Sequence, residues 1–205
     1  MRKTPIHPFN YYHIYNRGVN QGLIYFAEEN YHFFLDRLRK YFIPDKASII
    51  SYCLMPNHFH LLIYPMTVDF GNYVMQPFSV SYTKAINKRF KRTGPLFDGP
   101  YQAKLVDEDK YLLHLSRYIH LNPVSADLVD RAEDWEFSSY RDYIGTRTGG
   151  ITNPDIITGY FANSSEYVDF VLLRLRLLEI FFLIYYKHTS KLILNHLLLF
   201  FLLHH

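Results

Sequence analysis

The stretch MPNHFHLLIY, residues 55–64, places two histidines on either side of one phenylalanine. On an extended strand side chains alternate between faces, so His58 and His60 project together while Phe59 projects the opposite way. Two neutral imidazoles that converge in this manner can bind a divalent cation. The ordinary alternative is a strand with two polar positions on a solvent-facing side, and so short a motif arises often by chance. Against that alternative stands the apolar run that follows, Leu61, Leu62 and Ile63. Unpartnered imidazoles beside a core would be costly.

A second constellation lies at 111–124, YLLHLSRYIHLNPV. Read as a helix, it has a core stripe of Leu112, Leu115 and Ile119. Tyr111, Tyr118 and Asn122 form a neighbouring stripe, with Tyr118 and Asn122 one above the other as an i, i+4 pair. Pro123 predicts that the helix stops at Asn122. In the plain reading Asn122 is only that stop and Tyr118 a border residue. In the chemical reading Asn122 supplies an oxygen to a cation held by His58 and His60, and Tyr118 places a phenolic nucleophile beside it. A free phenol has a pKa of about 10, so such a nucleophile must lose its proton during attack. Tyr82, in SVSYTKAIN, is the rival nucleophile, but Ile86 stands at its i+4 position and gives it no polar partner. His120 projects away from the Tyr118 stripe on an ideal helix and reads as a surface residue. Gly94 and Gly99 make no G-x-x-x-x-G-K pattern, so no nucleotide cofactor is expected.

The elements that must position these residues follow from periodicity and breakers. YYHIYNRG (11–18) reads as a strand ended by Gly18, and 28–42 as a helix with Phe33, Phe34 and Leu38 at helical spacing. Its acidic residues come first and its basic residues last, which suits the macrodipole. ASIISYCLM (47–55) and HFHLLIY (58–64) read as two strands joined tightly through Pro56 and Asn57. Residues 73–92 are mainly helix with Pro77 in the first turn, 102–107 a short strand, 108–122 a helix, and 133–144 a further short helix. The order β-α-β-β-α-β-α predicts an α+β domain. Its first six elements match a ferredoxin-like antiparallel sheet with helices on one face, and a further helix carries Tyr118.

Hydrophobic residues make up 49% of the 205, ample for one core, and nineteen tyrosines and seventeen phenylalanines supply stacking surface besides packing. The net charge of +3 says little about partners, but its distribution says more. Lys84, Lys88, Arg89, Lys91 and Arg92 form a cluster with no acidic residue until Asp98, which suits either a phosphate-tracking surface or a solvated helix face. The single cysteine, Cys53, excludes an internal disulfide and a multi-cysteine zinc site. The N-terminus has charge but no apolar core of a secretory signal, so a cytoplasmic location is expected. From about Val171 the chain changes style, but charges interrupt its apolar run and the last uncharged stretch is shorter than the roughly 20 residues a membrane span needs. No membrane partner is expected. The expected division is a catalytic domain over 1–145 and a C-terminal extension over 146–205, helical and of unassigned role.

Four segments together carry a resemblance: YNRG; SYCLMPNHFHLLIYP; the run from SYTKAINKRFKR through LSRYIHLNPVSADLV; and DWEFSSYRDYIG. They resemble the single-tyrosine transposases with a histidine-hydrophobe-histidine motif (insertion-sequence-200-like), and most closely their REP-associated branch, over about residues 8–145. The resemblance implies that His58, Phe59 and His60 are that motif, that Tyr118 is the nucleophile and that Asn122 is the third metal ligand. It implies a ferredoxin-like fold, a magnesium or manganese cofactor, and hairpin-bearing single-stranded DNA cut through a 5′-phosphotyrosine link. Backbone contacts are expected from Lys84, Lys88, Arg89, Lys91 and Arg92, with Arg17 and Lys104 nearer the site. Tyr11, Tyr12 and Tyr101 are candidates to stack on unpaired bases. Pro100 and Gln102 stand where relatives often carry basic residues, and the tail after about 170 matches nothing in the family. Relatives include monomers and homodimers that exchange the tyrosine helix, and both states stay open here. The alternative reading is a catalytically silent protein that holds structured single-stranded DNA. A replication initiator or relaxase with the same metal motif fits less well, because the tyrosine helix follows the histidine strand within one short domain.

Overall fold

The structure, a computed structural model, describes residues 6–173. Strands β1 (Tyr11–Arg17), β2 (Ala47–Met55), β3 (His58–Pro65) and β4 (Gln102–Val106) form one sheet in the order β2-β3-β1-β4, with every neighbouring pair antiparallel. Helix α1 (Glu28–Tyr41) links β1 to β2, α2 (Gln76–Arg89) links β3 to β4, and α3 (Asp109–Ser125) follows β4. This is the element order expected from periodicity. At the start of α1 the Asn30 side chain accepts hydrogen bonds from the backbone N–H groups of Phe26 and Ala27, which would otherwise be orphaned at the helix end.

Alternation along the strands sorts the side chains into two layers. Tyr12 and Ile14 of β1 and Phe59, Leu61 and Ile63 of β3 pack with Phe34 and Leu38 of α1 and Phe78, Tyr82 and Ile86 of α2 in a closed aromatic core. Phe34 touches Phe59, Phe78 and Tyr82 with ring centroids about 5 Å apart, in tilted and edge-on geometries that favour aromatic pairs. A β-bulge between Ile49 and Ser51 resets the phase of β2, so that Tyr52 and Leu54 join this core while Ser51, Cys53 and Met55 face the other way. Helix α3 covers part of that other face, packing chiefly on β2 and less on β3 and β4. The sheet therefore has helices on both faces, with α3 alone opposite α1 and α2.

Two local expectations change. Helix α3 runs past Asn122 to Ser125 with Pro123 inside it. Only one intrahelical N–H is lost so close to the end, and the turn closes through Ala126 N–H to the Asn122 carbonyl at 3.0 Å. The expected helix over 133–144 is a single turn at Ala132–Asp134 and another, α4 (Tyr140–Tyr143), separated by a tight turn. That segment docks on the β2 edge, where Leu54 N–H donates to the Phe137 carbonyl at 2.9 Å and Ser138 bridges to Cys53.

The first compact unit extends to Tyr167. Residues 146–167 belong to the first because they are bonded into it: Asn153 N–H donates to the Ile49 carbonyl at 2.8 Å, and Thr152 donates to Asp142. The tail beyond Leu173 lies outside the described residues. Among those described, no helix is long and apolar enough to cross a membrane.

Candidate active site

The site is assembled on the α3 side of the sheet. Strand register places His58 beside Arg17 and Met55, His60 beside Tyr15 and Cys53, and Gln102 on the far side of Tyr15. Paired residues of antiparallel strands point to the same face, so both histidines lie in a cross-sheet array opposite the aromatic core. The tight β2–β3 connection at Pro56 and Asn57 holds the start of β3. Gly18 N–H bonds the Asn57 carbonyl at 2.7 Å, and a Cβ on Gly18 would collide with the Gly22 carbonyl. This close approach explains the glycine that ends β1.

His58 Nδ1 lies 2.7 Å from Asn57 Oδ1. An amide oxygen can only accept, so Nδ1 carries the proton and Nε2 keeps its lone pair. Burial pushes the His58 pKa down, opposed by a hydrogen bond to Asn122. His60 is more deeply buried and pushed well down, first by burial and then by its histidine neighbours His13 and His58. Both imidazoles are therefore neutral at pH 7, the state that ligates a metal.

Helix α3 brings up the other two residues. Tyr118 is the exposed residue within the otherwise shielded stretch 111–124, with 40% of its surface open, and its ring centroid lies 5.5 Å from that of His60. Partial burial raises the phenol above 10, while a hydrogen bond to Asn122 opposes the rise. Asn122 stands one turn beyond Tyr118 on the same helix, and its Nδ2 donates to the Tyr118 carbonyl at 2.9 Å. Two imidazole lone pairs and an amide oxygen form a donor set that suits a divalent cation. Among the described residues no group of three His, Cys, Asp or Glu side chains is arranged to hold a metal.

An open groove of about 600 Å³ runs beside the histidines, bordered by Tyr15, Arg17, Asp98 and Gln102. Arg17 pairs with Asp98 at 3.3 Å, both half-exposed. Lys104 stands opposite His13 on β4, and its ammonium sits over the Tyr111 ring at 4.8 Å. Arg17 and Lys104 thus share the histidine face. Lys84, Lys88, Arg89, Lys91 and Arg92 do not: α2 and its C-terminal turn belong to the layer under the opposite face. Lys84, Lys88, Arg89 and Lys91 are exposed there, and Arg92 lies over the Phe26 ring at 4.9 Å.

Several further expectations are corrected. Tyr12 and Tyr101 are buried and cannot stack on a ligand, and Tyr11 packs against Tyr64. Tyr82 is fully buried with its hydroxyl donating to the Ile24 carbonyl at 2.8 Å, so it is no nucleophile. His120 is not a surface residue. It is fully buried, with Nδ1 2.7 Å from the Tyr167 hydroxyl and Nε2 2.7 Å from Ser139 Oγ. It clamps α3 between the β2 edge and the segment ending at Tyr167, two residues from Tyr118. Only the fold of 132–167 over α3 buries it, which no helical wheel could show.

Sequence reasoning also missed His13 and Tyr15. His13 Nε2 lies 2.8 Å from His60 Nδ1, and Tyr15 is half-exposed beside both rings. The alternation in YYHIYNR already placed His13, Tyr15 and Arg17 on one face, and that signal went unused.

With this geometry in hand, comparison with known proteins decides the family. The model of IS200-like transposases matches residues 11–122, more than half of the chain, and spans both histidines, Tyr118 and Asn122. The chain belongs to the IS200-like transposase family. Among solved structures it is similar to a REP-associated tyrosine transposase bound to a REP hairpin. That match has a TM-score of 0.53 at 16% identity, covering 75% of this chain and 93% of the other. A candidate transposase from Deinococcus radiodurans matches with a TM-score of 0.40 at 21% identity, covering 58% and 95%. No curated protein matches the chain. The first of these structures shares the fold, a mixed α and β domain around a four-stranded antiparallel sheet.

Proposed function

We propose that this IS200-like transposase nicks and rejoins hairpin-bearing single-stranded DNA through a covalent 5′-phosphotyrosine on Tyr118, with magnesium or manganese held by His58, His60 and Asn122. The observation that carries the reading is the meeting of β3 and α3 on one face: the Tyr118 ring lies 5.5 Å from that of His60, with His58 beside His60 and Asn122 one turn beyond Tyr118 on α3. Family membership supports DNA transposition, and the REP hairpin in the neighbouring structure supports a hairpin substrate. We read the sheet order β2-β3-β1-β4, with its two crossover helices, as the ferredoxin-like split βαβ arrangement.

When bound, the cation supplies Lewis-acid stabilisation of charge on a non-bridging oxygen of the scissile phosphate. The protein's own residues do the rest. Asn57 holds His58 with Nε2 free, and α3 keeps the phenol beside the histidines. The Tyr118 oxygen attacks phosphorus, its bond to phosphorus forms, and the bond to the 3′-oxygen breaks. The phenol gives up a proton and the departing 3′-oxygen gains one, so the step is proton-neutral overall. The phosphotyrosine remains a phosphodiester, so a second 3′-hydroxyl can reverse the reaction without a nucleotide cofactor. Arg17 and Lys104, on the same face, are the candidates to hold the strand beside the site, and the α2 cations to hold DNA backbone further off.

The test is incubation with a hairpin-bearing single strand and manganese, followed by denaturing electrophoresis. A covalent protein–DNA adduct is expected from the wild type and is absent from Tyr118→Phe and His58→Ala. An adduct that persists in Tyr118→Phe would overturn the nucleophile. Tight binding without an adduct under any metal would replace the transposase reading with a silent DNA-binding protein.

A further inference from the structure

We infer that His13 is a positioning residue for the metal site: its Nε2 accepts the Nδ1 proton of His60 and so holds His60 in the tautomer whose Nε2 is free to bind a divalent cation. This rests on the reading of His60 as a ligand. The geometry is that of a directed hydrogen bond. The two nitrogens are 2.8 Å apart, and the rings lie 28° from coplanar. Their centroids are 5.0 Å apart, as expected when the nitrogen–nitrogen axis runs along both ring planes and not face to face. Both rings are buried, so water does not compete for the bond.

A neutral imidazole carries one proton, and a single proton lies between these two nitrogens. If His13 were the donor, the only proton of His60 would sit on Nε2, and no lone pair would remain for a metal. If His60 is the donor, Nε2 is bare. Ligation by His60 therefore requires His13 to accept. This is the role a carboxylate or carbonyl commonly plays behind a metal-bound histidine. His58 obtains the same service from Asn57, its neighbour in the chain. His60 has to obtain it from β1, one strand away, where His13 stands between Leu62 and Lys104 in the register. The two ligands of one motif are thus oriented by two separate devices, one local and one long-range.

The test uses the full chain and two substitutions. His13→Gln keeps an acceptor at similar reach, and His13→Leu keeps bulk without one. In the metal-free wild type, long-range nitrogen–proton NMR of the imidazoles is expected to show His60 protonated at Nδ1. In His13→Leu the proton moves to Nε2. Manganese binding, read by electron paramagnetic resonance, is expected to weaken about 10- to 100-fold in His13→Leu and to stay within a few-fold of wild type in His13→Gln. Circular dichroism checks that each variant is folded. A wild-type His60 protonated at Nε2 would overturn the inference without any variant, and so would a folded His13→Leu that binds manganese as tightly as wild type. If the metal-site reading itself is wrong, wild type and His58→Ala bind manganese equally weakly whichever tautomer His60 shows. That result also removes the role assigned to His13.

Discussion

On β3, Phe59 is seated among Phe34, Phe97 and the rest of the α1–α2 core, while His58 and His60 on either side of it face α3 and an open groove. The two faces of one sheet share a backbone and a register and differ in everything else. On the core face even a tyrosine is inert: Tyr82 is fully buried, and burial pushes its phenol far up. On the other face α3 packs chiefly on β2 and leaves an open groove beside the histidines, so polar groups sit half in protein and half in reach of a ligand. A metal site needs neutral imidazoles and access at once. Partial cover by a single helix provides both, whereas full cover by two helices provides only the first.

If the faces are separable, substitutions on each should fail in different ways. The largest loss of stability is expected from Phe59→Ala, about 3–5 kcal/mol by denaturant unfolding, with adduct formation per folded molecule unchanged. Loss of the adduct in the folded fraction would mean that the core face sets the geometry of the other. His120→Ala should cost less, about 2–3 kcal/mol, because it removes two buried hydrogen bonds, one to Ser139 Oγ and one to the Tyr167 hydroxyl. Unlike Phe59→Ala it should also slow adduct formation, since it loosens the helix that presents Tyr118.

A pH series sharpens the same contrast. Burial pushes the His120 pKa down to about 3, against about 6.5 in the unfolded chain. Between those values the unfolded chain binds a proton that the folded one refuses. The stability held in this histidine is therefore complete above about pH 6.5 and is lost as pH falls toward 3. The loss amounts to roughly 1.4 kcal/mol per pH unit. His120→Ala should show a shallower decline between about pH 6.5 and 5 by one histidine's share. An unchanged slope would show that His120 is not held neutral. The smallest effect is expected from Lys84→Ala with Lys88→Ala. Stability should be unaffected, and the salt dependence of single-strand binding should fall by about 0.7 for each phosphate these lysines neutralise. No change in that slope would confine DNA to the α3 face.

How much of this was legible beforehand varied with the range of the interaction. Local period placed β1, β2, β3, α1, α2 and α3, and the i, i+4 spacing already stacked Tyr118 with Asn122. Alternation alone put His58 and His60 on one side and Phe59 on the other. It missed the bulge that resets β2, because a one-residue phase slip is invisible in a continuous apolar run. It missed the burial of His120, because the covering residues come from 132–167, distant in the chain.

What the sequence by itself determined is which side chains share a face, since that depends only on backbone repeat and residue type. Which face a helix covers, and which strand lies beside which, was decided by tertiary structure alone. That decision set α2 and its lysines and arginines apart from the histidines, and it brought Tyr118 of α3 to His60. It also laid His13 of β1 against His60 of β3, forty-seven residues on. These choices minimise exposed apolar surface over the whole chain, a global quantity that no window of local sequence contains.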